Sequence, residues 1–280
     1  LAQQIQVPSF VIAAYRLTFA ALILAPLALT RHRAEFASLT RRDYGWATIT
    51  GVCLGLHFAA WFTSLEYTTV ASSAVFVTTT PLFVAVFSAI VWREKLGGPV
   101  IGGLVIAILG GSLIGLADIC RLAPTGLACP SLGDFVQGRA FVGDGLATVG
   151  AICFAAYMLI GRRLRAKLSL IPYIFLAYSA AALTLILSVL ITGQSFFGYP
   201  PVAYFWLALL AIVPQLIGHS AFNWALRYLP TTFVTITTLG EPIGSTILAL
   251  FIFQEIPTPL KLMGGGLILL GIVLASRRAV

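Results

Sequence analysis

Long apolar stretches separated by short polar segments recur along the whole chain. A helix rises about 1.5 Å per residue, so about twenty apolar residues cross the hydrocarbon core of a bilayer. The pattern predicts nine membrane helices, over residues 8–29, 46–65, 70–92, 97–117, 144–162, 171–192, 203–226, 231–253 and 258–276. Pro8, Pro172 and Pro259 fall near helix starts, where the missing N–H does no harm. The connections are short except for residues 118–143, which are read as one long loop on the outer side.

The helices repeat. Leu65, Tyr67, Pro81, Glu94, Gly103 and Gly110 recur as Leu226, Tyr228, Pro242, Glu255, Gly264 and Gly271, all at an offset of 161. Pro8 and Pro172 match at an offset of 164, as a short change in loop length would allow. The copies are displaced by five helices, an odd number, so the second runs through the membrane in the opposite sense, as in many secondary transporters. The domains predicted are 1–117, a first membrane repeat; 118–143, the outer loop; and 144–280, a second membrane repeat. The helix 144–162 opens the second copy and has no counterpart ahead of Leu1. The expectation is therefore a five-plus-five design of which this chain shows four plus five, with a native nine-helix protein as the alternative.

Composition agrees. Hydrophobic residues make up 59% and charged residues only 9% of the 280, and mean hydropathy is +1.00. A soluble domain would need a more polar surface. The net charge of +8 does not indicate nucleic acid, because the basic residues sit in short loops. Thirteen of the 17 fall on one side of a nine-helix path: Arg31, Arg33, Arg41, Arg42, Arg93, Lys95, Arg162, Arg163, Arg165, Lys167, Arg227, Arg277 and Arg278. The positive-inside rule makes that side, and the C-terminus, cytoplasmic.

These residues resemble a known family, the EamA-type transporters of the drug/metabolite transporter superfamily. The resemblance covers essentially the whole chain. It rests on Leu-x-Tyr leading into a helix, Pro81 or Pro242 within it, Glu94 or Glu255 at its end, and a glycine-rich helix after that. Glu241-Pro242 looks like the Glu-Pro pair of the family's ninth helix, and Arg16 like its second-helix arginine. Residues 151–160 resemble its sixth helix, with Phe154 where a Trp is frequent. The resemblance implies an all-α integral membrane protein of ten helices in two inverted five-helix bundles, in the bacterial inner membrane. It also implies export of a small metabolite such as an amino acid, with the aromatic amino acids among the candidates.

Glu241 is the leading candidate for chemistry. It lies about ten residues, or about 15 Å, into its predicted helix, where a carboxylate is costly and suits a proton carrier; the alternative is a hydrogen-bonded Glu that fixes the Pro242 kink. Its repeat mate is Thr80, so the charge is not duplicated. Arg16 is a counter-ion candidate. His57 with Phe58 and Trp61, and His219 near Asn223 and Trp224, stand at nearly equivalent places. His57, Phe58, Trp61, His219 and Asn223, with Thr79, Thr80, Tyr157, Gln215 and Glu241, make up the candidate substrate-binding set; interhelical hydrogen bonds and, for Trp61 and Trp224, a lipid-facing aromatic belt are the plainer readings. Gln215 and Asn223 are expected to share a helix face.

Pro81 frees a carbonyl near Val77, for substrate or for the hydroxyls of Thr78, Thr79 and Thr80. Bends are expected at Pro81 and Pro242 as paired gates. Gly103, Gly110, Gly264 and Gly271 imply close packing of two supporting helices. Glu94 and Glu255, at helix ends, suit capping or gating. Cys120 and Cys129 in the outer loop suit a disulfide, while Cys53 and Cys153 suit packing. No metal or cofactor motif appears.

The expected function is thus a secondary transporter of a small organic solute, with proton coupling as a candidate and the lipid bilayer as its other partner. A membrane enzyme or a channel using Glu241, His57 and His219 is the alternative; no catalytic motif supports the enzyme.

Overall fold

With no water in hydrocarbon, backbone polar groups must be satisfied within their own segment, so these apolar runs fold as helices. The computed structural model describes residues 7–68, 70–91, 93, 95–117, 121–123, 126–128, 139–254 and 256–276. The helices are α1 (Ser9–Arg31), α2 (Arg33–Ser38), α3 (Arg41–Ser64), α4 (Val70–Val77), α5 (Thr80–Val91), α6 (Gly98–Ala117), α7 (Arg139–Arg165), α8 (Leu170–Ile191), α9 (Pro201–Leu210), α10 (Ser220–Ala225), α11 (Thr231–Thr238), α12 (Glu241–Phe253) and α13 (Pro259–Ser276). A π-helical segment, Ala211–His219, joins α9 to α10. Among the described residues, seven spans are long and apolar enough to cross a membrane; with α6 and the split α11–α12 they match the nine expected segments. Among the described residues the fold is all-helical apart from two strands, Arg121–Ala123 and Gly126–Ala128, which pair antiparallel in the connection read as a loop.

Two helices begin earlier than expected, because polar anchors hold an extra turn. At the start of α3, the Thr40 amide donates to Asp43 Oδ2 (3.2 Å) and the Asp43 amide to Thr40 Oγ1 (3.2 Å), a reciprocal cap of the capping-box type. At the start of α7, Arg139 lies over the Tyr67 ring at 5.2 Å. Asp144, in its second turn, accepts from the hydroxyls of Thr68 (2.9 Å) and Ser72 (2.8 Å).

The described chain forms two compact units. One comprises residues 1–63 and 152–228, the other 64–151 and 229–280. Each therefore draws on both sequence repeats, and each contains repeat-related pairs.

In the second unit the repeat is visible in the backbone itself. The spans 70–91 and 231–253, where bends were expected, are each broken into two helices. The break falls at Thr78-Thr79 in one and at its mates, Leu239-Gly240, in the other. The amides of Thr79 and Gly240 donate to Phe76 and Thr237 oxygens at 3.1 and 3.0 Å, and those of Leu82 and Ile243 to Thr79 and Gly240 oxygens at 2.9 and 3.0 Å. Pro81 and Pro242 each become the second residue of a new helix, where an N–H has no helical partner to lose. Further on, Arg93 and Gln254, again 161 apart, both take left-handed φ values of 54° and 57°, ending α5 and α12 in the manner of a C-cap.

Helices α6 and α13 cross through their glycines. A Cβ at Gly110 would lie 2.6 Å from the Gly264 oxygen, and one at Gly271 2.6 Å from the Gly103 oxygen. Each glycine of one helix thus meets the non-mate glycine of the other, the self-complementary pattern of a two-fold axis. Ala85, Leu104, Ala107, Ile236, Leu239 and Ile268 close the core around this crossing.

In the first unit, α1 packs on its mate α8 through small and aliphatic residues. Ala13, Leu17, Ala20 and Leu24 are buried on one helix, and Ala177, Ala181 and Leu185 on the other. Gly51 of α3 abuts the Ala177 oxygen, and a Cβ at Gly55 would lie 2.7 Å from Thr184 Cβ.

Candidate functional site

Most of the polar residues expected in a binding site meet inside the first unit. Pro214 lacks an N–H and lies within the π-helical turn Ala211–His219, a geometry that breaks the usual i−4 ladder. Gln215 and His219 project from this turn. Gln215 is fully buried, and its Oε1 accepts from Arg16 Nε at 2.8 Å. The guanidinium lies over the Phe58 ring at 4.8 Å, a cation–π contact. Arg16 is therefore held from two sides by Gln215 and Phe58.

Aromatic rings continue the site. His57 stacks on Trp61 at 5.7 Å and lies 4.7 Å from Phe154. His219 lies 5.7 Å from Phe58 and 5.8 Å from Phe154. Two histidines from repeat-related helices thus share one pair of phenylalanines. Trp224, by contrast, is more than half exposed and packs on Tyr228, consistent with a lipid-facing belt rather than this cluster.

Behind the rings lies a buried hydrogen-bond network. The Tyr157 hydroxyl lies 2.9 Å from Asn223 Oδ1 and 2.6 Å from its Nδ2. Asn223 Nδ2 also donates to the His219 oxygen (2.8 Å) and reaches the Tyr178 hydroxyl (3.3 Å). Tyr178 in turn meets the Gln215 oxygen and Ser220 Oγ at 3.4 and 3.2 Å. Arg165 donates to the oxygens of Asn223 (3.0 Å) and Leu168. Gln215 and Asn223 are thus connected through Tyr178, although a π-turn rather than two regular turns separates them. Two buried atoms of this group, Gln215 Nε2 and His219 Nδ1, have no hydrogen-bond partner.

The remaining candidates belong to the second unit. The Thr79 and Thr80 hydroxyls donate to Phe76 and Val77 oxygens at 2.6 and 2.8 Å, and Thr78 to Val75 at 2.8 Å. The carbonyls at the Pro81 break are thus satisfied by threonines, the plainer of the two readings. Glu241, expected about ten residues into one continuous helix, is instead the first residue of α12, and it is exposed. The break at Leu239-Gly240 puts it there, and a carboxylate at a helix N-terminus is favoured by the dipole. Cys120, Cys129, Glu94 and Glu255 lie outside the described residues. Cys53 and Cys153 are half-buried free thiols.

Tyr178, Ser220 and Arg165 were not anticipated. The signals were a Tyr within an apolar helix and an Arg among the basic residues at a helix end, and Pro214 in mid-helix was the cue for the π-turn.

The polar turn and the paired broken helices can be set beside known proteins. The chain is 23% identical over 242 residues to an uncharacterized transporter of Clostridium kluyveri, covering 84% of this chain and 73% of that one. It is 25% identical over 264 residues to the inner membrane protein YtfF of Escherichia coli, covering 88% and 79%. An uncharacterized transporter of Archaeoglobus fulgidus is 22% identical over 227 residues, covering 80% and 72%. A solved crystal structure with 18% identity superposes with a TM-score of 0.75 over 98% of this chain and 89% of its own, which supports the fold. The model of the EamA-like transporter family matches residues 1–116 and again 141–277, one match for each sequence repeat. With both halves matched, this multi-pass membrane chain belongs to the EamA-like transporter family of the drug/metabolite transporter superfamily.

Proposed function

We propose that this protein is a secondary active transporter that exports a small organic solute by alternating access, with Glu241 as its proton-coupling group. The observation that carries the reading is the pair of broken helices at Thr78-Thr79 and Leu239-Gly240, with an acidic residue at only one of them. Discontinuous helices of this kind form ion and substrate sites in secondary transporters. Scaffold symmetry with a single carboxylate suits one coupling ion per cycle.

The solute class we propose is an amino acid with an aromatic or hydrophobic side chain. The cluster of Phe58, Trp61, Phe154, His57 and His219 supports this, since flat rings favour flat apolar bodies. Arg16, Gln215 and Asn223 add the few polar groups that orient a ligand in a mostly apolar site. The naming of similar proteins as transporters supports the general class. We further propose a bacterial inner membrane with the C-terminus inside, on the distribution of arginine and lysine.

The test is counterflow of labelled tryptophan, leucine, uridine and a cationic dye in proteoliposomes. Saturable counterflow of one of them is the expected result; leak that never saturates would overturn the transporter reading. Glu241→Gln should abolish flux driven by a pH gradient and leave counterflow at equal pH and the folded state intact. Undiminished pH-driven flux would remove Glu241 from the mechanism.

A further inference from the structure

The surface that joins α1, α2 and α3 is built to hold charge outward. Arg31, Arg33, Arg41 and Arg42 are all exposed, and two acids stand among them. Both acids are turned to internal partners. Glu35 accepts from the Ser169 amide (2.9 Å) and hydroxyl (2.6 Å) and from His32 Nδ1 (2.9 Å). Asp43 accepts from the Thr40 hydroxyl (2.7 Å) and from Lys167 Nζ (2.9 Å). The acids thus fasten this corner to the 165–170 connection instead of neutralising the arginines. Tyr44 donates to the Phe36 oxygen at 3.0 Å, and Phe36 packs edge-on to Phe175, so α2 is pinned to the helix ends.

Below the arginines the exposed faces turn aliphatic. Along α1, Leu27 and Ile23 are exposed one and two turns before Arg31, on its face; along α3, Ile49 and Leu56 follow Arg42 at heptad spacing and are exposed. Two stripes of aliphatic surface therefore end in guanidinium groups at the two ends of a single short connection.

We propose that this corner is a binding site for an anionic phospholipid, its phosphate held by Arg31, Arg33, Arg41 and Arg42 and its acyl chains lying along the two aliphatic stripes. Guanidinium groups pair phosphate oxygens bidentately, and basic clusters at helix ends recognise anionic headgroups. The stripes distinguish a lipid from a soluble phosphate, which would have no use for them.

The full chain is purified in a mild detergent, and lipid retention is read by native mass spectrometry against phosphatidylglycerol, cardiolipin and phosphatidylcholine. The expected result is retention of the anionic lipids over phosphatidylcholine, and loss of that preference in Arg31→Gln/Arg33→Gln and in Arg41→Gln/Arg42→Gln. Each arginine should be worth about fivefold, so each pair about twenty-five-fold. The two pairs are tested separately, with circular dichroism and the Arg→Lys versions to separate a lost site from a lost fold. Arg93→Gln/Lys95→Gln removes equal charge elsewhere and should leave the preference unchanged. Equal retention of phosphatidylcholine, an unaltered preference in both arginine pairs, or complete displacement by inorganic phosphate would each overturn the proposal.

Discussion

The unit of residues 64–151 and 229–280 and the unit of residues 1–63 and 152–228 treat the same internal repeat differently. In the former, the repeat extends to single hydrogen bonds: breaks, prolines, left-handed caps and glycine contacts all recur at an offset of 161. In the latter, the mates α1 and α8 pack regularly, but a regular α3 is matched by a helix with a π-turn. The buried polar network is attached to that irregular copy. Symmetry therefore serves packing, where two equal surfaces fit each other, and is abandoned where hydrogen-bonding groups must converge on one point.

The sharpest way to break the symmetric region is to fill its glycine crossing. Gly110→Leu forces a side chain into the Gly264 backbone, and overpacking of this kind costs about 1–3 kcal/mol or more. A fall of several degrees in the thermal midpoint is expected, read by fluorescence in detergent. Gly266→Ala, where a Cβ meets nothing within 4 Å, should leave the midpoint in place. A similar fall in both would show that the loss does not come from the crossing, since either substitution by itself favours the helix.

The asymmetric region should respond to smaller changes. Asn223→Ala removes partners of Tyr157 and Tyr178 inside the membrane-spanning core, and a buried group left unsatisfied costs about 1–3 kcal/mol. Tyr157→Phe together with Asn223→Ala should cost less than the sum of the two, because each single change orphans the other's group. Additive losses in chemical denaturation would show that the pair is not coupled.

The smallest expected effect lies at the corner tied by Glu35. Partial burial alone would raise its carboxyl, but the Ser169 hydroxyl and amide, with His32, more than offset this and leave it below its ordinary value. A depressed folded-state value means stabilisation that is present above the unfolded value and lost as pH falls through the folded one. Acidification below about pH 4 should therefore lower the melting temperature of the native protein more than that of Glu35→Gln. Parallel curves for the two proteins would show that Glu35 adds nothing.

Much of this was legible in the order of residues. Nine apolar runs set the helices, because backbone in hydrocarbon has only its own segment to bond with. The offset of 161 foretold which positions correspond, and Gly103, Gly110, Gly264 and Gly271 foretold a close crossing, since only small residues allow one. Pro81 and Pro242 located the breaks to within three residues. The hydrophobic pattern gave no hint that the breaks lie before the prolines, because that depends on which carbonyls the threonines reach.

Sequence alone determined the spans and the 161-residue repeat, which rest on local hydropathy and spacing, and its motifs carried the resemblance to the family. Tertiary structure decided which residues share a unit, that Arg16 is held by Gln215 and Phe58, that Glu241 opens a helix instead of lying within one, and that Glu35 and Asp43 turn inward. The contacts of Arg16 with Gln215, of Glu35 with Ser169 and of Asp43 with Lys167 join segments more than a hundred residues apart, and the break before Glu241 depends on individual backbone hydrogen bonds; no periodicity along one chain encodes either.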